Sequence, residues 1–305
     1  MTTNTSPHQR NFILKIMLSS DEPRLRAGWR LLLHTIILGF ISSTFILVYL
    51  ILPGLIEEGF SDVSLVTLIL ELGSILTATW VARRYFDRRS FRSLGFHVSK
   101  QAWIDLGVGF LLPGLLMGLI FVVEMLLGWI ALDGWVWQEA SPGDGLIGIV
   151  SGLAAFTLVG FSEEILSRGY HLQNLKDGLN LRWALLLSSG IFALLHIANP
   201  HTSWFSVLGI FLAGYFMAYG WIRTGQLWLS VGLHIGWNFF EGNIFGFPVS
   251  GLTTTRLILH HSTGPEWITG GAFGPEAGLI ILPAMALGVF IMRRYTEGAQ
   301  PSELH

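Results

Sequence analysis

The chain of 305 residues has no cysteine, which excludes a thiol nucleophile, a disulfide framework and thiolate metal ligands. It is also poor in charge: only 12% of its residues are Asp, Glu, Lys or Arg, about half the share of a soluble domain. A short apolar core followed by a small-residue cleavage site is missing from the polar first eleven residues, so the expectation is that no signal peptide is removed. No internal repeat is evident, and no linker is long enough to divide the chain. What is abundant is apolar sequence, 51% of the residues. These observations point to a polytopic membrane protein.

A bilayer crossing needs about 20 mostly apolar residues. Eight segments approach that, at roughly 31–56, 62–82, 104–132, 146–172, 183–199, 203–222, 226–247 and 277–292. The fifth and eighth are short, and the second contains Glu71. Asn11–Met17 suits a small interfacial helix, Pro113 a kink in the third span, and Gly107, Gly109, Gly209 and Gly214 close helix approach. The segment from about Pro248 to Glu276, rich in glycine, threonine and histidine, reads as an irregular cap on the non-cytoplasmic side.

Lysine and arginine are retained on the cytoplasmic side of a membrane. With eight alternating crossings, Arg10 to Arg30, Arg83 to Lys100, Lys176 and Arg182, Arg223, and Arg293 with Arg294 all fall on one side, leaving Arg256 on the other. The opposite loops carry Glu57, Glu58, Asp62, Asp133, Glu139 and Asp144. The expected fold is therefore all-α: a polytopic transmembrane helix bundle of about eight spans, both termini cytoplasmic, forming one integral membrane domain over residues 1–305.

Ionisable groups inside apolar runs are costly and are retained for function. The fourth segment ends in Phe161-Ser162-Glu163-Glu164-Ile165-Leu166-Ser167-Arg168. Neighbouring residues on a helix point about 100° apart, so Glu163 and Glu164 face different surroundings. Glu164 precedes Arg168 by four residues, the favourable order for an ion pair. That leaves Glu163 free to act as a general base toward water from a partly desolvated pocket. A charge cluster marking the membrane boundary is the plainer alternative.

His196 lies deep in the fifth segment, where a histidine is most often bonded to a backbone carbonyl. If that helix begins near Arg182, His196 is roughly 21 Å in, level with Glu163 provided the fourth helix continues to about Leu175. His234 and Asn238, four apart on the seventh segment, share one face and suit oxyanion stabilisation. Interhelical hydrogen bonding, worth about 0.6 kcal/mol in membranes, is the competing role.

Glu163-Glu164-x-x-x-Arg168, Phe192-x-x-x-His196 and His234-x-x-x-Asn238, in this order on three apolar segments, resemble the CPBP intramembrane proteases. That family includes the Rce1-type CAAX prenyl endopeptidases and bacterial proteins of the abortive-infection group. The likeness covers roughly 145–245 and extends to Thr224-Gly225-Gln226-Leu227-Trp228 and to the basic stretch Arg88–Gly95. Ser167 departs from it, since many members have phenylalanine there.

The resemblance implies a metal-independent, glutamate-dependent endopeptidase with 145–245 as its catalytic core and no cofactor. Glu163 with His196 would activate water, and His234 with Asn238 would hold the oxyanion. Glu164 and Arg168 would be structural or substrate-positioning. The expected partners are a membrane peptide or lipidated protein and the bilayer, without nucleic acid. The expected location is a bacterial cytoplasmic membrane, with the site facing the cytoplasm. A zinc protease remains open, although His-Glu-x-x-His is absent and asparagine is a poor zinc ligand. A non-catalytic scaffold or immunity protein, and a transporter, also remain open. A serine hydrolase built on Ser162 or Ser167 lacks a Gly-x-Ser-x-Gly elbow. His171, His201, His260 and His261 read as boundary or loop residues without a role.

Overall fold

A computed structural model describes residues 16–19, 22, 24–51 and 65–297. Most of the suggested interfacial helix and the acidic loop with Glu57, Glu58 and Asp62 lie outside the described residues. The fold is a helical bundle. Its helices are α1 (Ala27–Ile51), α2 (Leu65–Val81, extended by a π turn Ala82–Asp87) and α3 (Lys100–Leu126). Then come α4 (Pro142–Glu164, a π segment Ile165–His171, then Leu172–Gly178) and α5 (Leu181–Leu195). The last three are α6 (Trp204–Thr224), α7 (Trp228–Asn238, extended by a π turn Phe239–Ile244) and α8 (Ile281–Tyr295).

Among the described residues, five helical stretches are long and apolar enough to cross a membrane: Ala27–Val48, Leu65–Asp87, Lys100–Leu126, Pro142–Gly178 and Trp204–Thr224. The remaining three expected spans, on α5, α7 and α8, are helical but shorter than a full crossing. In α7 the reason is position. It packs most extensively on α3, also against α4 and α6, and Leu229 through Asn238 are buried without a break. An apolar helix sheathed by protein needs no lipid-facing stripe. The outer helices instead expose large apolar side chains such as Phe40, Leu111 and Leu126. Such a surface is stable only against hydrocarbon, and the chain is an integral membrane protein.

The third expected span is shorter than its apolar run. It ends at Leu126, and Ile130–Trp135 forms a strand, β1, antiparallel to β2 (Ile258–Ser262). The periodicity showed neither this two-stranded sheet nor the short helical turns Glu266–Thr269 and Gly271–Phe273 of the 248–276 segment. Pro113 lies within α3 without ending it. Gly109, Gly209 and Gly214 stand at contacts too close for a Cβ, whereas Gly107 has nothing within 4 Å.

The basic stretches gather at one end of the bundle. Asp177, at the end of α4, meets Arg24 at 3.2 Å, Arg30 at 3.5 Å and Arg89 at 3.2 Å, while Asp87 meets Arg30 at 3.2 Å and Arg83 at 2.9 Å. These pairs hold the start of α1, the end of α2 and the end of α4 at one level. His171 lies inside this packed region and not at a boundary loop. It is buried, edge-on to the His34 ring, which itself stacks on Tyr170.

Candidate active site

Three helices set the depth of the site. α4 begins at Pro142, capped by Ser141, whose hydroxyl accepts from the Asp144 N–H, and its helical course runs unbroken to Gly178. Glu163 therefore sits about fifteen residues, roughly 22 Å, from the end that carries Asp177. α5 begins at Leu181, capped by Asn180, and closes at His196, which is the residue ending the helix and not one in its middle. The two count to similar depths, and the Glu163 Oε2 atom is 3.7 Å from His196 Nε2.

His234, on α7, completes the group, with its Nε2 3.6 Å from the same Glu163 oxygen. Glu163 Oε2 is buried and accepts no hydrogen bond among the described residues. The Glu163 side chain as a whole keeps 25% of its exposure, against none for Glu164. One step along the helix thus places one carboxylate at a pocket and the next in the packed interior, as the 100° turn requires.

Glu164 has two donors. Its Oε1 accepts from Arg168 Nη1 at 2.7 Å and from His234 Nδ1 at 2.8 Å. Arg168 also donates to the Gly214 carbonyl at 3.2 Å and lies 4.3 Å from the centre of the Phe192 ring. The i,i+4 pair read from the sequence is present. Its bond to His234 spans seventy residues of chain, and helix spacing alone could not show it.

The imidazoles are held in defined orientations. The His196 Nδ1 atom is 2.8 Å from the Phe192 carbonyl, which can only accept, so Nδ1 carries the proton. The same reasoning at the Glu164 carboxylate puts a proton on His234 Nδ1. Both Nε2 atoms are left to face Glu163. Phe192 was visible only as a motif letter. In the structure its carbonyl orients His196 while its ring lies beside Arg168 and 6.1 Å from the His234 ring.

Asn238 stands one turn beyond His234, buried, at the end of the α-helical part of α7. The structure thus brings Glu163, Glu164, Arg168, His196 and His234 into direct contact, with Asn238 next in line. Ser167 is buried on the π segment. Among the described residues no group of three or more His, Asp or Glu is arranged to hold a metal ion. α4 and α7 turn from α to π immediately after Glu164 and Asn238, at Ile165 and at Phe239. Such bulges recur at functional sites, and nothing in the residue pattern marked these.

Comparison with known proteins agrees with the motif reading. Residues 145–240 match the family model described as type II CAAX prenyl endopeptidase Rce1-like. The uncharacterized protein YyaK of Bacillus subtilis (strain 168) is 26% identical over 192 residues, covering 59% of this chain and 63% of YyaK. The match therefore takes in less than two thirds of that relative. No solved structure matches. The matched segment opens near the start of α4 and closes just after Asn238, so it contains all six side chains described above. Over residues 145–240 this membrane protein is thus similar to the Rce1-like family, a family of CAAX-type proteases.

Proposed function

We propose that the chain is an intramembrane endopeptidase that cleaves a membrane-associated or lipidated peptide with a water activated by Glu163. The observation that carries this is the Glu163 Oε2 atom, buried, unbonded among the described residues and facing two imidazole nitrogens at 3.6 and 3.7 Å. These distances are too long for direct hydrogen bonds and suit a bridging water. A water donating to two acceptors at about 2.8 Å each would hold them roughly 4.4 Å apart, a little wider than observed between Glu163 and His196. The ground-state geometry of catalytic groups is commonly loose by this much.

In this reading Glu163 takes the proton of the attacking water while His196 Nε2 accepts its other hydrogen and aims the oxygen at the scissile carbonyl. As carbon–oxygen bonding proceeds, the carbonyl becomes an oxyanion. His234 Nε2–H and the Asn238 amide donate to it. Because His234 Nδ1–H is already given to Glu164, an Nε2–H donor requires the imidazolium, whose charge Glu164 balances. The proton held by Glu163 then passes to the leaving amine as the carbon–nitrogen bond breaks. Arg168 anchors Glu164 and takes no part in the transfer.

The gathering of basic residues at the end of the bundle marked by Asp177 supports a cytoplasmic position for that end and a pocket opening toward it. The likeness to a Bacillus subtilis protein supports a bacterial cytoplasmic membrane. The deciding experiment compares the membrane peptides of cells making the wild-type chain with those of cells making Glu163→Ala. A peptide cut only by the wild type supports the reading. Identical peptide profiles would refute proteolysis and favour a scaffold or immunity role. Cleavage abolished by a chelator and restored by zinc would favour the metal-dependent alternative.

A further inference from the structure

A second pair of carboxylates lies buried behind the site. Glu276, in the turn Pro275–Ala277, closes the 248–276 segment, and Glu241 lies in the π turn of α7. Both are shielded from solvent, Glu276 at 4% exposure and Glu241 at none. Their hydrogen bonding differs sharply. Glu276 Oε1 accepts from Trp237 Nε1 at 3.2 Å, and its Oε2 accepts from the Ser250 N–H at 2.8 Å and the Ser250 hydroxyl at 2.6 Å. Neither oxygen of Glu241 has a partner among the described residues.

The contacts continue toward the site. The Ser250 carbonyl accepts from Asn199 Nδ2 at 3.0 Å, and the Asn199 N–H donates to the His196 carbonyl at 3.1 Å. At the other end, Trp237 sits on α7 between His234 and Asn238. One chain of hydrogen bonds thus runs from the site-bearing turn of α7, through Glu276 and Ser250, to the turn that begins at His196. Ser250 is held at φ +48°, a conformation that a residue with a side chain keeps only when its surroundings impose it. On α6, Gly209 leaves room for the Glu276 carbonyl, which any Cβ there would overlap.

We propose that Glu276 is a positioning residue: an ionised cross-brace that fixes His196 relative to His234 and sets the electrostatic field at both imidazoles. The proposal rests on the hydrolytic reading only for its purpose, since the brace exists whatever the site does. Two adjacent buried carboxylates do not both ionise. The one that accepts three donors carries the charge, and the one without donors is neutral. Burial pushes the Glu276 carboxyl up, while the Ser250 donors and the charges of His196 and His234 pull it back. The charged groups that face these imidazoles are Glu163, Glu164 and Arg168 from α4, Glu276, and the neighbouring Glu241.

The test uses the full chain in lipid nanodiscs and needs no substrate. Diethyl pyrocarbonate acylates neutral imidazole, so the rate of His196 modification between pH 5 and pH 8, read by peptide mass spectrometry, reports the field at that ring. In Glu276→Gln the acid limb of this profile moves to lower pH by about half a unit or more, because a nearby negative charge is gone. In Glu241→Gln it stays where it is in the wild type. Trp237→Phe and Ser250→Ala each remove one of the three donors to Glu276, which weakens the brace while the remaining donors hold the charge. They leave the profile in place and speed amide exchange in residues 196–202 by several fold.

An unmoved profile in Glu276→Gln, or an equal displacement in Glu241→Gln, overturns the proposal. So does unchanged exchange at 196–202 in both brace variants, which decides the matter alone if Glu276→Gln does not fold. Failure to find a cleaved peptide would refute the hydrolytic reading and leave these results standing.

Discussion

Glu164 and Arg168 form an ion pair with almost no access to solvent, the side chains being 0% and 3% exposed. Truncating one member of such a pair leaves the other charge buried and uncompensated, at a cost of about 3–5 kcal/mol. Glu164→Ala strips Arg168 of its carboxylate and leaves it the Gly214 carbonyl and the Phe192 ring. Taking about 2–4 °C per kcal/mol for a chain of this size, the unfolding midpoint should fall by roughly 6–20 °C. Glu164→Ala combined with Arg168→Met removes both charges and keeps an apolar stem, and most of the lost stability should return. Cleavage of the target peptide should return in neither, because His234 Nδ1 has lost its acceptor in both. The measurement is thermal unfolding of purified protein in one detergent, for wild type, both single variants and the double variant. A double variant as unstable as Glu164→Ala would refute the buried-charge argument. A double variant that regains cleavage would refute the orienting role of Glu164.

Gly109→Ala should lower the unfolding midpoint markedly, because its Cβ would meet the backbone of α7 at Leu229 and Leu233, where overpacking costs about 1–3 kcal/mol or more. Gly107→Ala, with open space around it, should be neutral or gain up to about 1 kcal/mol of helix propensity, as the same unfolding assay will show. His260 is buried between Phe121 and Phe247 and bonded to the Phe245 carbonyl at 2.8 Å, and burial holds its pKa below the usual histidine range. A histidine neutral in the folded state but free to protonate when unfolded costs stability as pH falls below about 6.5. Glu or Asp titration adds a background, so the check is the difference: His260→Gln should lose less stability than wild type between pH 7 and pH 5. With no native cysteine, single cysteines report topology without interference. Glu139→Cys should react with a membrane-impermeant maleimide on intact cells, and Arg92→Cys only after lysis. The reverse pattern would overturn the cytoplasm-facing pocket.

How much of this was legible in the sequence depended on whether the relevant interaction was local. The Glu164–Arg168 pair follows from a four-residue spacing, and the apolar runs follow from composition. The level of Glu163 with His196 followed from counting residues at a fixed rise, provided α4 ran past Arg168, as it does. The bond from Glu164 to His234, the brace from Glu276 through Ser250 to Asn199, and the pairing of β1 with β2 all join residues far apart in the chain. Periodicity carries no information about such pairs. The shortness of α7 was hidden for a related reason: a fully buried helix and a lipid-facing one have the same apolar composition, and only their neighbours tell them apart.

The distance between Glu163 and His234 is set by a residue that touches neither. Gly160 lies one turn before the glutamates on α4 and faces Ile235, the neighbour of His234 on α7; a Cβ there would stand 3.3 Å from the Ile235 backbone nitrogen and closer still to its side chain. The two helices meet tightly at the level of Glu163 and His234 because one of them has no side chain at the crossing. Carboxylate and imidazole reach only a few ångströms from their backbones, so a site shared between separate helices exists only where those backbones come close. The charges then act across a short gap in surroundings of low dielectric, where preorganised groups are worth most. The same closeness leaves little space, and the 25% exposure retained by Glu163 is the opening through which water and a peptide would have to arrive. A single methyl group at position 160 would therefore separate the Glu163 carboxylate from the His234 imidazole while leaving every chemical group in place.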